Sequence, residues 1–242
     1  MAYQISRPQG PPDVSPAELL HIQKNSAEPV TQIPWQKLLA YKQTWAYAIA
    51  KFLTDPIWYF YLYWLPKFFD ERYQLGLGHI GLPLIIVYNF SAIGSIGGGW
   101  MSTAFHKAGM PMAKARLSTM LVCACLVLPI LLSSRVSSIW SAVAILSLAT
   151  AAHQGWSANL FTTASDMFPR SSVGAVVGVG GMAGSAGAVL FSLITGWVLQ
   201  SYHSYTTLFS IAAASYLLGL LALRIIAPGL QRVDIAAKPA AN

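Results

Sequence analysis

Lys51 and Asp55 stand four residues apart inside an apolar stretch, so on a helix they share one face and can pair. Left alone at the middle of a membrane span, each charge costs about 2.5–3.5 kcal/mol, so each needs a partner. Two uses of the pair stay open. Lys51 can present a positive charge to the carboxylate of a bound anion while Asp55 competes for the same ammonium, or the two can form a structural ion pair that fixes helix packing. Pro56 follows directly and frees backbone carbonyls that could bend the helix at this depth. Trp58, Tyr59, Tyr61, Tyr63 and Trp64 come within the next two turns, and Trp58 and Tyr59 continue the Lys51/Asp55 face. An aromatic ring there can stack on the apolar side of a sugar and reach a hydroxyl with its polar tip, which makes Tyr59 a substrate-site candidate. Tyr61 and Tyr63 fall off that face and suit lipid or helix packing, whereas Trp64 suits the membrane interface.

A second cluster, His153, Gln154, Trp156, Ser157 and Asn159, surrounds Gly155. Lipid does not tolerate so many side-chain donors and acceptors, so they must face protein or a water-filled cavity. At 100° per residue they do not share a stripe, so only a subset lines a cavity unless Gly155 loosens the helix. Gln154 and Asn159 are the better ligand candidates, because an amide offers a sugar hydroxyl both a donor and an acceptor. His153 reads as a neutral ring bonded to a neighbouring helix. Asn89 is a further candidate with a plainer alternative, a hydrogen bond between helices.

Other chemistry finds little footing. The five histidines are scattered, with no H-E-x-x-H, no paired-carboxylate site and no Ser/His/Asp set at one depth. The expectation is no enzyme, no metal and no cofactor. Cys123 and Cys125 are two apart on a helical run and point in different directions, which supports neither a disulfide framework nor a metal site. The glycines from Gly174 to Gly187 invite a dinucleotide-loop reading, but Gly178-Val-Gly180 lacks the third glycine at 183 and no strand precedes it. The spacings Gly174/Gly178 and Gly180/Gly184 instead suit close approach of helices.

The elements that must carry these residues are membrane helices. Of 242 residues, 55% are hydrophobic and 10% charged, far from the roughly 25% charged of a soluble domain. With 12% aromatics, disorder is excluded too. Six apolar stretches of about bilayer length run over 44–65, 79–104, 117–132, 139–163, 173–199 and 205–226. The expected class is therefore all-α integral membrane, with a transmembrane domain over 44–228 between a polar tail, 1–43, and a short tail, 229–242. The first tail holds at most a short helix near residues 15–23 and a membrane-surface turn near Trp35. Of the fifteen Lys and Arg, eleven lie in the two tails and the even joints, three lie in the odd joints, and Lys51 is inside a span. This bias places both termini in the cytoplasm of a multi-pass protein of the plasma (inner) membrane, and it explains the net charge of +7 without nucleic acid as a partner.

Three stretches carry a resemblance. KFLTDPIWYFYLYWLPKFF at 51–69 resembles the seventh helix of hexuronate-type sugar-acid transporters, in the anion:cation symporter branch of the major facilitator superfamily. HQGWSANLFTTASDMFP at 153–169 is similar to their tenth helix and the loop after it, and VGAVVGVGGMAGSAG at 173–187 to their eleventh. The similarity covers residues 35–228. Residues 98–116 resemble a decayed copy of the superfamily's glycine and basic loop motif, with Ser102 where an acidic residue is expected, so a gating salt bridge there lacks its acid. The resemblance implies a twelve-helix, proton-coupled symporter of hexuronate-like organic anions, with this chain matching its C-terminal half and the proton-carrying acids largely in the other. A missing N-terminal six-helix half or a second copy is then a partner, beside membrane lipid. The alternative is a truncated or split half that does not transport without a partner half.

Overall fold

The computed structural model describes residues 34–76 and 78–233. After a four-residue helical turn, Trp35–Leu38, come six long helices: α1 (Lys42–Tyr73), α2 (Gly81–Lys107), α3 (Met112–Val127), α4 (Ile139–Met167), α5 (Arg170–Tyr202) and α6 (Tyr205–Ile226). No strand occurs among the described residues. The fold is all-α, as its composition predicts. The short helix expected near residues 15–23 lies outside the described residues.

Two helices extend well past the apolar stretches that announced them, whereas α2 starts two residues inside its stretch. α1 has 32 residues and α5 has 33, each longer than the stretch that announced it, because a helix continues into the polar interface where hydropathy no longer marks it. α1 runs unbroken through both Pro56 and Pro66. The third stretch does break: α3 ends at Val127 and a 3₁₀ segment, Leu128–Leu132, carries the chain past Pro129. α2, α3 with its 3₁₀ extension, α5 and α6 are long and apolar enough to cross a membrane. α1 and α4 match them in length but are less apolar, because they carry Lys51, Asp55 and the polar cluster around Gly155.

Those two helices are also the hub. α1 packs on α5 and α6, α4 packs on α2 and α3, and α1 meets α4. Their shared core holds Tyr47, Tyr61, Trp156 and Tyr216, all fully buried. The two pairings that bring backbones closest are glycine-lined. Gly94 and Gly98 of α2 lie against the backbone of Ala151 and Gly155 of α4, and a Cβ at either position would overlap it. On α5, Gly180 faces Tyr47 and Lys51, Gly184 faces Asp55, and Gly187 faces Phe52 and Pro56. Of the two spacings expected to mediate close approach, Gly180/Gly184 does so, whereas Gly174 and Gly178 meet open space.

Each end of the bundle is tied separately. At one end Tyr73 donates to the Val136 carbonyl at 3.0 Å, and Tyr205 donates to Glu71 Oε2 at 2.7 Å. At the other, Arg116 of α3 pairs with Asp166 of α4, and the Val233 N–H donates to the Met167 carbonyl at 2.7 Å.

Candidate functional site

Lys51 Nζ and Asp55 Oδ2 are 2.7 Å apart on α1. The spacing of four supplies the reach, but the surroundings come from other helices. The lysine stem lies along Gly180 and the carboxylate along Gly184, and only glycine at those points of α5 leaves room for them. The ring of Phe161, from α4, lies over the ammonium at 4.1 Å to its centroid, and Tyr47 flanks it at 6.0 Å. Lys51 is thus 3% exposed, held by one carboxylate and two aromatic faces. Asp55 keeps about a fifth of its side-chain surface open, and Phe161 and Tyr59 beside it are 43% and 38% exposed. A buried cation therefore sits one carboxylate deep behind a partly open face.

Tyr59 stacks on Tyr63 with ring centroids 6.3 Å apart. Tyr63 is exposed, whereas Tyr61 is fully buried. Trp58 turns inward and stacks on His153, 5.3 Å apart and nearly parallel. His153 Nδ1 lies 2.7 Å from the Tyr216 hydroxyl of α6, the bond to a neighbouring helix that its lone position suggests.

The rest of the polar cluster on α4 is divided. The helix runs unbroken past Gly155, so its side chains stay on separate stripes. Gln154 and Ser157 are half-buried, and Gln154 makes no hydrogen bond among the described residues. Asn159 is 1% exposed and donates to Gly98 O at 3.0 Å and Gly155 O at 2.9 Å, which commits its amide hydrogens to the α2/α4 crossing and leaves Oδ1 without a partner. Asn89 is exposed and bonds Ile85 O within its own helix at 2.8 Å, so it bridges no helices. The structure brings Lys51, Asp55 and Tyr59 together and sets Asn89 and Asn159 on α2 and at its crossing with α4.

Phe161 and Tyr47 are missing from the sequence reading, which gave Gly180 and Gly184 a packing role without their partner. Tyr47 was within reach of it, since Tyr47, Lys51 and Asp55 repeat every four residues. Phe161 had no signal, being one of ten phenylalanines until the fold sets it on an ammonium. The basic loop expected to lack an acid also gains one: Arg116 finds Asp166 at the end of α4.

The major facilitator superfamily model matches residues 4–192. The chain belongs to the major facilitator superfamily. That family is one of transporters, not enzymes. Among its relatives, the chain is 27% identical over 241 residues to the chloroplastic ascorbate transporter of Arabidopsis thaliana, covering 97% of this chain and 43% of that one. It is 26% identical over 201 residues to the hexuronate transporter of Escherichia coli K12, covering 83% and 46%. To the chloroplastic sodium-dependent phosphate transport protein 1 of A. thaliana it is 27% identical over 236 residues, covering 95% and 45%. This superfamily member thus spans less than half the length of these relatives.

Proposed function

We propose that the chain is a six-helix half of a secondary transporter of organic anions, of the sugar-acid or hexuronate class, in which Lys51 binds the substrate carboxylate. The observation that carries this is the Lys51 ammonium: a basic residue inside a span, 3% exposed, with Asp55 as its ion-pair partner behind a partly open face. An arriving carboxylate replaces one anionic partner of Lys51 with another, whereas a neutral sugar leaves the pair intact and gains only hydroxyl hydrogen bonds. Tyr59 offers a stacking face and a hydroxyl, and Gln154 an uncommitted amide. Asn89 and the free Oδ1 of Asn159 are polar groups on the α2 side. The names of the relatives, an ascorbate, a hexuronate and a phosphate transporter, agree with an anionic substrate.

Proton-coupled symport is proposed on the family resemblance, which puts the proton-carrying acids largely in the other half.

The half-unit reading is supported by the outer faces of α2 and α5, where Ile93, Ile96, Trp100, Met182 and Leu193 are 60–75% exposed. A second six-helix unit, either an N-terminal half or a second copy, covers such faces, and lipid covers the rest. We place the transmembrane domain over 44–228 in the plasma (inner) membrane, with 1–43 and 229–242 on the cytoplasmic side, on the strength of the basic-residue bias.

The test is competition in vesicles carrying a transporter that includes this chain. Unlabelled glucuronate should displace labelled glucuronate uptake and glucose should not, and Lys51→Gln should erode that preference at equal expression. Equal competition by both sugars removes Lys51 from the binding site.

A further inference from the structure

A groove of about 570 Å³ lies between α3 and α6, at the end of the bundle where Arg116 pairs with Asp166. Its lining combines charge with apolar wall. Lys114, in the first turn of α3, and Arg224, in the last turn of α6, supply two cations. Leu117, Ser118 and Leu121 follow Lys114 along α3, and Leu220 lies one turn before Arg224 on α6. The lining includes no acidic residue, and among the described residues neither cation is ion-paired. Both helices are long and apolar enough to cross a membrane, so a groove between their outer sides opens where acyl chains lie. Over the two turns from Lys114 to Leu121, about 10 Å of helix, one groove thus offers a cation, a hydroxyl and two leucines. A phosphate, a glycerol ester and an acyl chain are the groups that such a lining suits.

We propose that this groove is a binding site for one anionic glycerophospholipid, whose phosphate lies between Lys114 and Arg224 and whose acyl chain runs along Leu117, Leu121 and Leu220. Charge complementarity selects the occupant. Two cations with no ion pair and no acid beside them among the described residues favour a headgroup of net negative charge over a zwitterionic one, and the leucine wall favours a lipid over a soluble phosphate. The site is separate from Lys51 and stands whether or not that residue binds substrate.

The test is native mass spectrometry of the purified full chain released from micelles containing phosphatidylglycerol and phosphatidylcholine. Wild type should retain one phosphatidylglycerol in preference to phosphatidylcholine. Lys114→Gln with Arg224→Gln should weaken that retention roughly 25-fold, at about five-fold for each headgroup cation. Lys107→Gln with Arg170→Gln, which removes two exposed charges outside the groove, should change it less than two-fold. Leu121→Trp, at an exposed position and with no charge altered, should also abolish it by filling the wall. Equal losses for the two charge pairs would mean diffuse attraction and overturn the site. Equal retention of both lipids, displacement by glycerol phosphate at matched concentration, or a second copy of the chain held there instead would overturn it as well.

Discussion

At the scale of residues, the energetics of the Lys51–Asp55 pair are set by desolvation more than by attraction. Both charges leave water, and a buried pair often contributes little net stability against apolar residues of similar volume, yet removing one partner strands the other at a cost of about 3–5 kcal/mol. Among the described residues Lys51 has no second acid, and Phe161 and Tyr47 offer it only ring faces. Asp55→Asn should therefore lower the thermal midpoint in detergent, and the yield, well below those of the double variant Lys51→Met/Asp55→Leu. Equal midpoints for the single and double variants would show that the ammonium is not confined as its burial indicates. The double variant also separates the two uses of the pair: if it folds and the assembled transporter no longer takes up anions, the pair serves binding, and normal uptake leaves it a packing device. Asn159 belongs to a different category. With both amide hydrogens on backbone carbonyls at the α2/α4 crossing, it acts first on how closely those helices approach.

At the scale of elements, that crossing gives a sharp contrast between adjacent residues. A Cβ at Gly98 would overlap the backbone of Gly155, whereas a Cβ at Gly97 meets nothing within 4 Å. Backbone cannot rotate away as a side chain can, so Gly98→Ala should separate α2 from α4 and cost about 1–3 kcal/mol, the usual range for overpacking. Gly97→Ala should be neutral or slightly stabilising, since alanine is the better helix former. Thermal unfolding of the two single variants decides it, and similar midpoints would mean that the helices do not meet at Gly98. Gly184→Ala against Gly178→Ala makes the same comparison on α5, with Asp55 as the neighbour that must shift. These contrasts also mark how far the sequence could be read. Six helices and the ionic pair were legible, because apolar runs of bilayer length and a spacing of four are local properties of the chain. The face that each glycine presents to a particular partner is a tertiary property, so Gly174/Gly178 and Gly180/Gly184 looked alike in sequence and differ in the fold. Arg116 and Asp166, and Lys51 and Phe161, are separated by 50 and 110 residues, and no periodicity within one helix can join such pairs.

At the scale of the whole molecule, the two tied ends define the sides of the membrane. Tyr73 with Val136, and Tyr205 with Glu71, join α1, the α3–α4 link and α6 at one end, so Gln74 and Val136 lie on one side. Met110, whose carbonyl lies 2.9 Å from His106 Nδ1 in the α2–α3 link, is at the other, with Lys107 and Lys114 close by. The eleven-to-three bias of basic residues toward that second end predicts which side is the cytoplasm, because Lys and Arg in short loops resist translocation. Single cysteines at 74, 136 and 110, introduced after replacing the free Cys123 and Cys125 by Ala, test it in intact cells. A membrane-impermeant maleimide should label 74 and 136 from outside and reach 110 only after the membrane is opened. Labelling of 110 alone would invert the chain and put the anionic-lipid groove in the opposite leaflet. Labelling of all three from outside would mean that this half does not span the membrane six times, and the covered face expected on α2 and α5 would then need another explanation than a second six-helix unit.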